Sequence, residues 1–203
     1  MKNLVETDFV QMLLLLRHCD NRKVHYRHKN NFIAEKLFSY LEVKIGMLVD
    51  HISMCLMEEN RYGRKITQKY PEKSIDISLT EVKIKEIQTL IFTHYVSLME
   101  SSLREKIVGE TGENEKILLN DILKHLHKKR KIDNNQLHLW TGMRHLRNAI
   151  VHYDTKPRVT LELKYEEDLV ISLKKDTPRH TTDLYEGFRL MRWMTYNIEP
   201  LVQ

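Results

Sequence analysis

The sequence predicts an all-α fold, a bundle of about five to six helices with one small β-hairpin inserted before the C-terminal helix. Apolar residues recur at spacings of three and four through most of the chain, which is the period of an amphipathic helix. Only six Gly and four Pro interrupt the 203 residues. We expect a single domain over 1–203, with an N-terminal helical extension at 1–70 and a core at 80–203.

Two helices are predicted in the N-terminal extension. The first covers about 4–17 and ends before the basic stretch at 17–31, which we interpret as a connector. The second covers about 31–59, because one face carries a regular apolar stripe: Ile33, Leu37, Leu41, Ile45, Leu48, Ile52 and Leu56. Tyr62-Gly63 and Tyr70-Pro71 then indicate a connection.

Three more helices are predicted before the hairpin. Thr80 is a candidate cap for the first, which ends at Gly109 or Gly112. A second runs from about 115 to 131, and a third from about Asn134 to Asp154.

The apolar period changes to two after Pro157. Residues 159–163 and 169–173 alternate between apolar and polar, with three acidic residues between the two runs. This pattern predicts a β-hairpin. Helical spacing returns over about 181–199 and predicts the last helix.

Net charge, apolar runs, and the placement of cysteines and histidines limit the classes of protein that this sequence can belong to. The net charge of +5 is compatible with a polyanionic partner, and no apolar run is long enough to span a bilayer. Cys19 and Cys55 form no paired motif, so we expect reduced thiols in a cytoplasmic protein. His125 and His127 would point away from each other on a helix, so we expect no metal site. The sequence contains no Gly-rich phosphate-binding loop, and we expect no cofactor.

Each of the two basic stretches of the sequence has two interpretations. Residues 17–31 and 124–131 concentrate Lys, Arg and His, which is typical of a phosphate-contacting surface. A solvated connector explains the first, and a solvated helix end the second.

Two polar sets lie inside apolar helices. Glu100 and Arg104 are four residues apart on one face, where a surface ion pair would also explain them. The second set is in residues 143–154, MRHLRNAIVHYD. Arg147 and His152 are five apart, about 140° around a helix axis, so one flat face cannot present both. Either the helix ends near His152 or a second subunit completes the site.

The spacing Arg147-Asn148-x-x-x-His152 resembles the RxxxxH signature of HEPN domains, in which Asn often follows the Arg. The segment YVSLMESSLREKI at 95–107 is similar to the earlier core helix of this family. The resemblance covers roughly residues 80–200 and leaves the first 60–70 residues unmatched.

The resemblance implies a metal-independent endoribonuclease that cleaves RNA by attack of its own 2′-OH, in a homodimer with a composite active site. It implies that His152 transfers protons and that Arg147 binds the scissile phosphate. Asn148 would orient His152 or bind phosphate. Supporting or RNA-binding roles would fall to Glu100, Arg104, Arg144 and Tyr153, with Glu100 orienting Arg147.

Family members also occur as toxins and antiphage effectors, so an antitoxin or regulatory protein is a possible partner. In one toxin subgroup a Tyr two residues after the His is modified by the antitoxin, whereas here Tyr153 follows directly and Asp154 takes that place. We therefore expect direct binding by any antitoxin. The alternatives are a non-catalytic HEPN-like module that binds nucleotide, nucleic acid or protein, and a DNA-binding helical protein.

Overall fold

The computed structural model describes residues 2–58, 77–112, 117–151, 160–166, 169–177 and 184–203. This part of the chain forms seven helices and one two-stranded sheet, so the predicted all-α bundle with a small hairpin is confirmed. The helices are α1 (Lys2–His28), α2 (Phe32–Glu58), α3 (Ile77–Thr111), α4 (Leu119–Lys128), α5 (Asn134–Val151), α6 (Leu184–Asn197) and α7 (Glu199–Val202). The strands are β1 (Leu161–Glu166) and β2 (Leu169–Leu173).

Helix α1 is longer than predicted, because the basic stretch at 17–31 is helical through His28. Cys19 and Tyr26 from this stretch are fully buried, so it contributes to the core. Its charged residues pair across helices: Lys23 with Glu42, and Arg22 with Glu199 at 3.1 Å. The prediction of a connector was wrong because these partners lie far away in sequence.

A tight turn joins α1 to α2. Asn30 adopts a left-handed conformation (φ 54°), and the N–H of Asn31 donates to the carbonyl of Tyr26 at 3.0 Å. The side chain of Asn31 then accepts a hydrogen bond from the N–H of Ala34, which caps α2. The stripe predicted for α2 is buried at Leu37, Leu41, Ile45 and Leu48.

Helix α3 begins earlier than predicted, but it ends where the sequence predicted. The helix begins at Ile77, so Thr80 lies inside its first turn and is not the cap. Gly112 follows the last helical residue with φ 65°, and its N–H donates to the carbonyl of Val108. The predicted end at Gly112 is therefore confirmed, and glycine suits it because other residues rarely adopt positive φ.

The hairpin is antiparallel and packs one face on the bundle. Leu161 pairs with Leu173 and Leu163 with Ile171, and the buried side chains of both strands face the same side. Gly142 of α5 lies directly against Leu163, which lets the helix approach the strand closely.

One hydrophobic core joins α1 and α2 to the later helices and the hairpin. No helix in the described ranges is both long and apolar enough to cross a membrane.

Candidate functional site

An aromatic cluster fixes the N-terminal half of α5. Trp140 is fully buried, and its ring centre lies 5.0 Å from that of Trp193 on α6. Trp193 meets Tyr165 of β1 edge to face at 5.1 Å, and the Tyr165 hydroxyl donates to the carbonyl of Leu139 at 3.0 Å. Packed aromatic pairs of this kind add stability beyond their buried area. Helix α5 is therefore held by α6 and β1 before its polar C-terminal half begins.

The polar residues of that half share one face of α5. At 100° per residue, Arg144, Arg147, Asn148 and Val151 lie within a sector of about 100°. The three polar residues are half-buried, and Val151 is 49% exposed. The opposite side packs into the core through Leu146 and other apolar residues.

Ser97 of α3 holds the Arg147 side chain. The Ser97 hydroxyl accepts hydrogen bonds from Nη2 of Arg147 at 2.9 Å and from Nε at 3.2 Å. The same hydroxyl donates to the carbonyl of Thr93 at 2.9 Å, so its orientation is fixed by its own helix. The Oδ1 atom of Asn148 accepts from Nη1 of Arg147 at 2.9 Å. The guanidinium is therefore clamped between two helices by an alcohol and an amide.

Both of these partners of Arg147 are uncharged. None of the ion pairs between described residues includes Arg147. Ser97 and Asn148 use three of the five guanidinium N–H groups. Neutral partners fix the geometry of a cation without cancelling its charge, which is what a binding site for an anion requires.

Arg144 lies one turn before Arg147. Its Nε is buried and has no hydrogen-bond partner within the described part of the chain. Burial lowers the pKa of the adjacent His145, and the charge of Arg144 lowers it further. Both effects favour the neutral imidazole of His145 beside this cationic face.

Glu100 and Arg104 contact each other and the start of α4, and no hydrogen bond between described residues joins either of them to Arg147. The Glu100 carboxylate accepts from Arg104 at 3.3 Å and from the backbone N–H of Leu119 at 3.1 Å. Nε of Arg104 donates to the carbonyl of Ile117 at 2.7 Å. Leu118 offers α4 no side-chain cap, so a carboxylate from the neighbouring helix stabilises its N-terminus. This pair anchors the start of α4, while Ser97 takes the place beside Arg147 that we expected Glu100 to hold.

Sequence reasoning missed Ser97. The residue lies three before Glu100 and seven before Arg104, so all three share one stripe of α3. That spacing was the available signal, but an isolated serine in a helix usually bonds its own backbone.

Three of the predicted site residues come together or share a face: Arg144, Arg147 and Asn148. His152 and Tyr153 lie outside the described residues, directly after α5. The run Ala149-Ile150-Val151 that follows Asn148 is buried at Ala149, half-buried at Ile150 and exposed at Val151.

Among the described side chains, no three His, Cys, Asp or Glu residues are placed to hold a metal ion. Comparison of the chain with models of protein families, with curated proteins and with solved structures finds no match. The resemblance to HEPN domains therefore depends on the residues themselves.

Proposed function

We propose that the protein is a metal-independent endoribonuclease of the HEPN type, with Arg147 as the phosphate-binding residue and His152 as the proton-transfer residue. The observation that carries the proposal is the clamped guanidinium of Arg147. Ser97 and Asn148 orient it at distances of 2.9 to 3.2 Å, and neither carries a negative charge. A transferring phosphoryl group gains negative charge in the transition state, so a fixed, uncompensated cation stabilises it.

The proposed chemistry needs no nucleophile from the protein. The 2′-oxygen of RNA bonds to the adjacent phosphorus as its proton passes to an imidazole, and the bond from phosphorus to the 5′-oxygen breaks. The products are a 2′,3′-cyclic phosphate and a 5′-hydroxyl, whose oxygen takes up a proton. An imidazole with an ordinary pKa near 6.5 suits both transfers at neutral pH.

The proposed enzyme is a homodimer. The five-residue spacing of Arg147 and His152 separates them by about 140° on a regular helix, so one copy presents them poorly to one phosphate. A second copy placing its own α5 across the substrate would complete the site. Arg144 lies on the face of Arg147, its Nε has no hydrogen-bond partner among the described residues, and it would contact a neighbouring phosphate.

The test is cleavage of a labelled RNA in the presence of a metal chelator. We expect cyclic phosphate ends from the wild type and a loss of about 10²-fold or more in His152→Ala, the usual contribution of an acid–base residue. His138→Ala is the matched control, because His138 is exposed on α5, the helix that precedes His152 in the chain. Equal cleavage by His152→Ala, or cleavage that disappears with chelator, would refute the mechanism.

Ser97→Ala separates positioning from phosphate binding. It removes two contacts to Arg147 but leaves the charge, so we expect a smaller loss of rate than in Arg147→Met. A charged hydrogen bond contributes about 1.5–3 kcal/mol, which corresponds to a loss of roughly ten- to a hundredfold. Ser101→Ala is a control, because the Ser101 hydroxyl donates to the carbonyl of Leu98 on the same helix.

One observation favours a second candidate, a non-catalytic module that binds a nucleotide, a nucleic acid or a protein. Arg147 is half-buried and bonded within one chain, as a structural arginine would be. This candidate predicts binding of an uncleavable 2′-O-methyl RNA together with no cleavage of the matching RNA. Binding that survives in His152→Ala and is stronger for duplex DNA would favour a DNA-binding protein.

We also propose a cytoplasmic toxin or antiphage effector. The proposal predicts growth arrest on induced expression, with normal growth for His152→Ala at equal protein level. An antitoxin or regulatory protein would restore growth by direct binding.

A further inference from the structure

A small cavity lies between the C-terminal part of α3, the end of α4 and the C-terminal segment. Its volume is about 50 Å³. One water needs about 10–15 Å³ by this measure, so the cavity has room for three or four waters or one phosphate-sized group. Four apolar residues line one part of it: Leu103, Ile107, Leu126 and Leu201. The rest of the lining is polar or charged: Lys106, Glu110, His125, Lys129, Lys131 and Gln203.

Positive charge exceeds negative charge around this cavity. Lys106, Lys129 and Lys131 line it, against the single carboxylate side chain of Glu110. Lys129 and Glu110 form a pair at 3.6 Å in which both side chains are about half exposed, and such pairs are weak. No ion pair within the described part of the chain includes Lys131. The ammonium of Lys106 donates to a backbone carbonyl, that of Val202, at 3.1 Å.

The turn after α4 brings two of these lysines to the cavity. Arg130 adopts a left-handed conformation (φ 56°), and the N–H of Lys131 donates to the carbonyl of Leu126 at 2.9 Å. The chain thus folds back after Lys129, and both Lys129 and Lys131 line the same space. Part of the basic stretch at 124–131 therefore faces a cavity and is not simply a solvated helix end.

Two further features indicate unmet interactions there. Nε2 of His125 is buried and has no hydrogen-bond partner within the described ranges. Burial lowers the pKa of Lys106, and the charges of Lys131 and Lys129 lower it further against the opposing effect of Glu110. The cations therefore repel one another, and an anion between them would relieve that repulsion.

We propose that this cavity binds a phosphate group, either free as a small phosphate compound or at the end of a nucleic acid. Three lysines and one histidine are among the residues that line a space of that size, which suits an anion with several acceptor oxygens. Lys106 lies nine residues after Ser97 on α3, about 14 Å along the helix axis. The site is therefore distinct from the Arg147 face, and the inference does not depend on ribonuclease activity.

The test is titration of the full chain with pyrophosphate and with inorganic phosphate at constant ionic strength, followed by calorimetry. We expect Lys131→Gln to weaken binding about five- to tenfold, the effect of one charge-assisted contact near the surface. Glu110→Gln removes the competing anion and should tighten binding severalfold. Lys124→Gln is the matched control, because Lys124 is exposed on α4 and does not line the cavity.

Lys131→Gln and Glu110→Gln are expected to change the affinity for phosphate in opposite directions, which makes the result decisive. Lys131 and Glu110 are both exposed, so their replacement should leave the thermal unfolding temperature nearly unchanged. Absence of saturable binding at millimolar concentration would overturn the proposal. So would equal affinities of Lys131→Gln, Glu110→Gln and the wild type, because the anion would then bind elsewhere.

A second arm identifies the source of the phosphate. A 2′-O-methyl oligonucleotide is compared with and without a 5′-phosphate. A gain in affinity from the 5′-phosphate that is lost in Lys131→Gln supports the site and assigns it to nucleic-acid ends. Binding of pyrophosphate without such a gain supports the site and assigns it to free phosphate compounds.

Discussion

Replacement of Gly142 by alanine tests how α5, which carries Arg147, docks on the hairpin. A Cβ added at Gly142 would lie 2.6 Å from Cδ2 and 3.0 Å from Cγ of Leu163, and nearer still to Cδ1. Carbon atoms pack favourably at about 3.5–4.0 Å. Leu163 is fully buried, so its side chain has little room to move away.

Two effects of opposite sign determine the outcome. Overpacking a well-filled core costs about 1–3 kcal/mol, whereas glycine to alanine within a helix gains about 1 kcal/mol. We therefore expect Gly142→Ala to lower the free energy of unfolding by about 0–2 kcal/mol. In a Leu163→Ala background the obstructing atoms are gone, and the same change should raise the free energy of unfolding by about 1 kcal/mol.

The assay is urea denaturation of the wild type, both single variants and the double variant. The expected coupling is about 1–3 kcal/mol, well above the error of about 0.5 kcal/mol for independent sites. Gly46→Ala is the matched control. Among the described residues its added Cβ meets only Cδ1 of Leu16, at 3.9 Å, so this change should stabilise the protein. A coupling below about 0.5 kcal/mol would refute the close approach of Gly142 to Leu163.

Three further predictions concern other buried groups. Glu100→Gln should lower the free energy of unfolding by about 1–2 kcal/mol, because it weakens the charged cap on α4. Glu105 is exposed on α3, the helix that also carries Glu100, so Glu105→Gln should have little effect in the same urea experiment. Burial and a nearby carboxylate raise the pKa of Cys19 to about 12. In a Cys55→Ser variant, where Cys19 is the remaining thiol, a thiol reagent at pH 8 should therefore label the protein only as fast as it unfolds. Rapid labelling would contradict the burial of Cys19. Burial and a nearby guanidinium lower the pKa of His18 below 6.5, so the unfolded chain binds its proton more tightly and stability falls as the pH falls below about 6.5. A His18→Gln variant should show a shallower fall in denaturation curves measured between pH 7 and pH 5, and parallel curves would contradict this.

Local periodicity predicted the elements whose apolar pattern is undisturbed. The stripe through Leu37, Leu41 and Ile45 predicted α2 to within one residue at each end, and the alternation around Ile171 predicted the hairpin. Periodicity failed at 17–28, because Lys23 and Arg22 occupy helical positions whose partners, Glu42 and Glu199, are distant in sequence. A charged residue looks solvated in a sequence until its partner is known.

The candidate site shows the same limit at the level of single residues. The spacing of Arg147 and Asn148 was visible in the sequence, and the two are in contact. Which residue of α3 meets Arg147 depends on how the two helices are rotated about their axes. A rotation of about 60° separates Ser97 from Glu100 on that helix, and no local pattern specifies it.

The contrast between Arg104 and Arg147 gives the strongest reason to look for function on α5. Both are half-buried arginines that bridge helix α3 to a neighbouring segment. Arg104 is neutralised by Glu100 and bonded to a carbonyl, which accounts for it as a structural residue. Arg147 is bonded to an alcohol and an amide. The carboxylate of Glu100 lies three residues after Ser97 on the same stripe of α3, and pairing Arg147 with it would have stabilised the protein at least as well. A buried charge is costly unless it is paired. Arg147 has no charged partner among the described residues, and this is the feature on which the proposed binding of an anionic ligand rests.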